Sequence, residues 1–206
     1  VYPVEKGDSR QRIQDAIDEV SRMKPDKNGY RGTVLLKRGV YHVHGTIHIN
    51  TGGVILTGEG DNVNETRLLA IGKQRFSLIE VSGNGRMEEV SGTRVKITDA
   101  FVPVGTHSFQ VSSATNFKVG DRIIVYRPGT ENWIHDIKMD QIVERQGTRQ
   151  WTAREYNLSF EREIVKVEGN RIYIDNPVVM QMEEKDGGGE VFKYTFDGRI
   201  SEVGVT

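Results

Sequence analysis

The sequence predicts an all-β chain: a solenoid of short parallel coils, covered at its start by one amphipathic helix and interrupted by a small antiparallel β-barrel or sandwich. Three observations predict it. The 23 glycines recur in pairs such as Gly52-Gly53 and in Gly-Asn or Asp-Gly steps, which punctuate short extended runs. Those runs are rich in β-branched residues, which suit a pleated surface. Over the first part of the chain they recur at about 20 to 24 residues, the period of a solenoid coil.

The helix comes first. Asp8 or Ser9 can cap it, Gln11 stands three residues after Asp8 as a capping box requires, and Ile13, Ala16, Ile17 and Val20 repeat at helical spacing. It should run to about Met23, before Pro25, with a narrow apolar stripe suited to lying over the end of another element's core. A terminal coil otherwise exposes its interior and its strand edge.

From Thr33 the period changes to extended runs: Thr33–Lys37, Val40–Val43, Thr46–Ile49, Val54–Thr57, Thr66–Ile71 and Ser77–Val81. The step from Val34-Leu35 to Val54-Leu56 and on to Leu78–Val81 reads as successive coils. Beyond residue 91 the pattern turns antiparallel. Arg94–Ala100, Ser108–Val111, Arg122–Tyr126, Glu163–Val167 and Arg171–Ile174 are joined by hairpin signals such as Gly169-Asn170. The expected organisation is therefore a cap helix and first coils over 1–91, an inserted antiparallel unit over 92–189 with Lys185–Gly189 as a flexible exit, and a return to the coils over 190–206.

Bulk properties narrow the function classes. The chain has 206 residues, 36% hydrophobic and 28% charged, with a formal net charge of −1, which indicates neither disorder nor a nucleic-acid field. The absence of cysteine removes disulfide scaffolds, thiolate zinc sites and a cysteine nucleophile. No apolar stretch approaches the roughly 20 residues needed to span a bilayer. The final residues read as a strand in progress, so the expectation is a piece of a longer protein with any export signal already removed.

Gly32-Thr33-Val34-Leu35-Leu36, Gly39-Val40-Tyr41, Thr46-Ile47-His48-Ile49 and Gly53-Val54-Ile55-Leu56-Thr57-Gly58-Glu59-Gly60, preceded by Ile13-Gln14-Asp15-Ala16-Ile17-Asp18, resemble the opening of pectate-lyase-superfamily proteins. The resemblance covers about residues 8 to 83. Phe117-Lys118-Val119-Gly120-Asp121-Arg122-Ile123, the Trp133 segment and the Gly169-Asn170 hairpin resemble a barrel inserted in some bacterial members linked to glycan breakdown. This implies a right-handed parallel β-helix, a secreted or periplasmic location, and a polysaccharide or oligosaccharide partner. It further implies a polysaccharide lyase or glycoside hydrolase in the intact protein, and it admits Ca²⁺ as a cofactor. Catalytic and Ca²⁺-binding residues in that superfamily usually lie on later coils, and no position here aligns with them. This chain alone is expected to turn nothing over. The alternative is a non-catalytic β-helix serving as an adhesin, a glycan binder or a structural module.

Candidate site residues gather in the central segment. Arg127, Trp133, Asp136, Asp140, Trp151 and Tyr156 combine aromatic surface for a pyranose face with charged groups for its hydroxyls. The competing reading packs both tryptophans in the core of the inserted unit and spreads the charges over its surface. Asp136 and Asp140 form the best acid pair for glycosidase-type chemistry, whereas Glu88-Glu89 and Glu183-Glu184 read as solvated surface. His42, His44 and His48 could share a strand face, but a turn at Gly45 breaks the alternation, so they read as a solvent-facing row and no metal site is expected. Gly58-Glu59-Gly60 lacks the lysine of a phosphate loop and reads as a turn.

Overall fold

A computed structural model describes every residue except Glu5, Asp61 and Val63. The chain is mostly β with few helices, in mixed parallel and antiparallel sheets, and it divides into two compact units: 1–86 with 196–206, and 87–195.

The outer unit opens with helix α1 (Arg10–Ser21). Ser9 precedes it in a helical rather than extended conformation and makes no side-chain cap; Asp8 accepts from the Arg10 and His44 amides instead, at 2.8 and 3.1 Å. The expected capping box does not form, because Gln11 turns along the helix and donates to Asp15. Ile13, Ile17 and Val20 are buried, and α1 lies against the β-strands as the narrow stripe requires.

Six strands follow: β1 (Gly32–Leu36), β2 (Gly39–Val43), β3 (Ile47–Ile49), β4 (Val54–Gly58), β5 (Thr66–Ala70) and β6 (Ile79–Val81). All six stand within two residues of their expected positions. They pair in parallel as β1 with β4, β2 with β5 and β3 with β6, and the strand Gly204–Val205 adds to the other side of β4. Gly32 faces Val54, Gly39 faces Thr66 and Ile47 faces Ile79, separations of 22, 27 and 32 residues.

The expected even period therefore holds at the first pairing only. Longer turns between β4 and β6 push each later partner further along the chain, and Leu78–Val81 meets β3 rather than stacking on β4. The parallel sheets have two or three strands each, and no continuous parallel solenoid is formed among the described residues. Inward residues alternate along the strands, with Val34, Leu36, Tyr41, Val43, Ile47, Ile49, Val54 and Leu56 joining the three α1 side chains in one core. His42, His44 and His48 fall on two strands and the turn between them, and no group of three or more potential metal-ligating side chains occurs among the described residues.

The central unit contains β7 (Glu88–Glu89), β8 (Val95–Lys96), β9 (Phe101–Val102), β10 (Ser108–Gln110), β11 (Arg122–Arg127), helix α2 (Glu131–Asp136), β12 (Leu158–Glu168), β13 (Arg171–Ile174), β14 (Met182–Glu183) and β15 (Glu190–Thr195). Its main sheet runs β10-β13-β12-β11-β15-β7 with antiparallel pairings, and β8 also pairs with β15. The named strands form no closed barrel among the described residues; beside β8 and β10 a single antiparallel bridge, Ile97 with Val111, joins the two segments, with the Thr98 amide donating to the Gln110 carbonyl and the Ser112 amide to the Lys96 carbonyl. β12 is long because it pairs with β11 through its first half and, past an irregularity between Ile164 and Lys166, with β13 through its second.

Phe109, Ile123, Val125, Ile164, Ile172, Ile174 and Val191 form the core of this unit. Val191–Phe196, expected to resume the coils, belongs largely here: β15 pairs antiparallel with β11, placing Val191 opposite Val125. Val191, Phe192 and Tyr194 fit a coil interior and an antiparallel core equally well by pattern. Among the described residues no helix is long and apolar enough to cross a membrane.

Candidate functional site

β11 delivers Arg127 at its end, where Pro128 and Gly129 turn the chain into α2. Thr130 caps the helix in an extended conformation, its hydroxyl accepting from the Trp133 amide at 3.2 Å. The same hydroxyl donates to the Asp186 carbonyl at 2.6 Å, and Asn132 donates to the Lys185 carbonyl at 3.2 Å. Residues 184–186 form a single 3₁₀ turn ending at Gly187, whose φ of +100° favours glycine. A Cβ there would lie 2.4 Å from the Thr130 methyl. The stretch expected to be a flexible exit is thus a turn docked on α2.

Four of the six predicted site residues meet in a row. The Arg127 guanidinium lies 3.7 Å from the centre of the Trp133 ring, Trp133 lies 6.0 Å from Trp151, and Trp151 stacks on Tyr156 at 3.6 Å. The backbone holds the row by folding 139–157 over α2: the Trp151 amide donates to the Met139 carbonyl, the Arg154 amide to the Gly129 carbonyl, and the Gly129 amide to the Asn157 side chain. Both tryptophans are half-buried and belong to neither main core, so the rings form a satellite cluster rather than the interior of a barrel.

The other two predicted residues, Asp136 and Asp140, each contact a base. Asp136 is ion-paired to Lys185, which holds its carboxyl below the usual aspartate range. Asp140 accepts from His135 Nδ1 at 2.8 Å; this contact lowers the Asp140 pKa and raises that of His135. Both acids are exposed and engaged with bases.

Arg127 is the unusual member. Its residue is only 4% exposed, and its Nη1 has no hydrogen-bond partner among the described residues. Burial pushes its pKa down, against the pull of Asp186. It lines a cleft of about 310 Å³ together with Trp133, Ile137, Met180, Glu183 and Asp186. Glu183, read from sequence as solvated surface, and Asp186 reach the cleft from a segment more than 50 positions away. The one local signal for this arrangement was the Pro-Gly-Thr turn before a short helical stretch; nothing local marked the partner segment.

No family model and no curated protein matches the chain. Among solved structures it is similar to the Gp54 tailspike of Acinetobacter baumannii bacteriophage AP22, in complex with A. baumannii capsular saccharide. That match has 11% identity and a TM-score of 0.43, covering 97% of this chain and 26% of the tailspike. It is also similar to the Pseudomonas phage phi297 tailspike gp61 (18% identity, TM-score 0.43, 94% and 25% covered). A third similar structure is the tailspike gp49 of Pseudomonas phage LKA1 (17%, 0.37, 88% and 24%). The chain spans about a quarter of the length of each. A likeness of this degree assigns neither family nor function.

Proposed function

We propose that this chain is the N-terminal portion of an exported, polysaccharide-handling protein built on a right-handed parallel β-helix, and that the cleft beside α2 is one of its saccharide subsites. The observation that carries the proposal is the convergence, in one cleft, of a buried guanidinium with an unfilled donor, an indole and two carboxylates. Sugar sites combine apolar wall with a few converging polar groups, and this cleft has both. The three parallel pairings behind α1, with the resemblance over residues 8 to 83, support the β-helix reading and that of an inserted central unit.

Within this chain the role is binding, not turnover. The acids Asp136 and Asp140 are committed to Lys185 and His135, and lyase or hydrolase chemistry in the intact protein would use groups on later coils, as the resemblance implies. Titrating the chain with oligosaccharides, followed by tryptophan emission and native mass spectrometry, tests the reading. A saturable response lost in Trp133→Ala supports it. A panel of neutral and acidic glycans that all leave the emission unchanged and give no complex overturns it.

A further inference from the structure

The charges and hydrogen-bonding groups around Arg127 narrow the class of ligand. Arg127 can only donate, and its Nη1 is unfilled. Glu183 and Asp186, whose carboxyl groups offer acceptors, line the same cleft. Lys185 stands beside the cleft; it is 60% exposed and shared among Asp136, Glu183 and Asp186. The cleft itself is lined by one cation, Arg127, and two carboxylates, Glu183 and Asp186, so a further negative charge is disfavoured. A hydroxyl both donates and accepts, and so can fill Arg127 Nη1 while donating to a carboxylate opposite. A ligand carboxylate would fill Arg127 but offer the acids nothing.

Val104, Ile137, Met180 and the Trp133 ring supply the apolar wall, and about 310 Å³ sits at the small end of ligand sites, room for one ring. We infer that the cleft takes an uncharged saccharide ring, with a hydroxyl bridging Arg127 to Glu183 or Asp186, and discriminates against uronic acids. This rests on the reading of the cleft as a saccharide subsite.

The test is calorimetric titration of the full 206-residue chain with galactan, glucan and mannan tetrasaccharides, each beside the tetrasaccharide of the corresponding uronic acid. At least one neutral member should bind tenfold or more tightly than its uronic counterpart, with little dependence on salt. Asp186→Asn should raise uronate affinity threefold or more, and Glu183→Gln gives the same readout if the first variant does not fold. A uronic member binding as well as its neutral partner, or uronate affinity unmoved in both variants, overturns the inference and leaves the saccharide subsite standing. Failure of both series to bind removes both.

Discussion

Replacing Arg127 by methionine should stabilise the central unit while removing saccharide binding. Arginine at this position is almost fully buried with an unpartnered Nη1. An unsatisfied buried donor on a charged group costs about 3 kcal/mol. The contact with Trp133 returns roughly 2 kcal/mol as a desolvated cation–π interaction. Attraction to Asp186 adds something under about 1 kcal/mol, because Lys185 already serves that carboxylate. Methionine keeps the length of the side chain, leaves Asp186 its Lys185 contact, and gains about 1 kcal/mol from sulfur against the indole.

The balance favours Arg127→Met by about 1 kcal/mol, a rise in Tm of about 3 °C for a protein of this size. Arg127→Ala leaves a void under Trp133 and should lower Tm instead. Scanning calorimetry of the three proteins reads the order directly. If Arg127→Met melts below the parent by 2 °C or more, the guanidinium has structural work that its missing partner does not suggest, and the argument for an unfilled ligand donor fails.

Three further outcomes follow from the geometry. Ile17→Ala should cost about 2 to 5 kcal/mol in denaturant unfolding, since the side chain is fully buried among β-strand residues of the outer unit; a loss under 1 kcal/mol would mean that α1 does not cover that core. Gly53→Ala should destabilise by several kcal/mol, seen as a lowered urea midpoint, because φ is +82° and the new Cβ would sit 2.2 Å from the Gly29 carbonyl oxygen; retention of the parental midpoint would refute that approach. The His135–Asp140 contact should stabilise α2 within a pH window. The raised His135 pKa gives stability that is full below the ordinary histidine value of about 6.5 and is lost as pH rises through the folded value. The lowered Asp140 pKa gives stability present above about 3.9 and lost as pH falls through its folded value. An NMR titration should place the His135 midpoint above that of an unstructured histidine, and Asp140→Asn should bring it back; an unchanged midpoint would break the pairing.

Sequence by itself determined the local elements. α1 was legible because Ile13, Ile17 and Val20 repeat at helical spacing whatever they pack on. The strands β1 to β6 were legible because β-branched runs between glycines specify extended backbone, and alternation specifies which residues turn inward. The sequence also singled out Arg127, Trp133, Trp151 and Tyr156, whose side chains lie in contact in a row.

Pairing was decided only by tertiary structure. Alternation fixes the face of a strand but not its neighbour, so the period could not reveal that Ile79 faces Ile47, or that Val191 lies opposite Val125 in an antiparallel sheet. The same limit governed the cleft. Glu183 and Asp186 approach Arg127 only because Thr130 and Asn132 hydrogen-bond the backbone of a turn more than 50 residues away, and acids in a glycine-rich stretch look solvated until that turn docks. Asp136 and Asp140 show the same limit: their contacts with Lys185 and His135 are with neighbours that their own spacing does not specify.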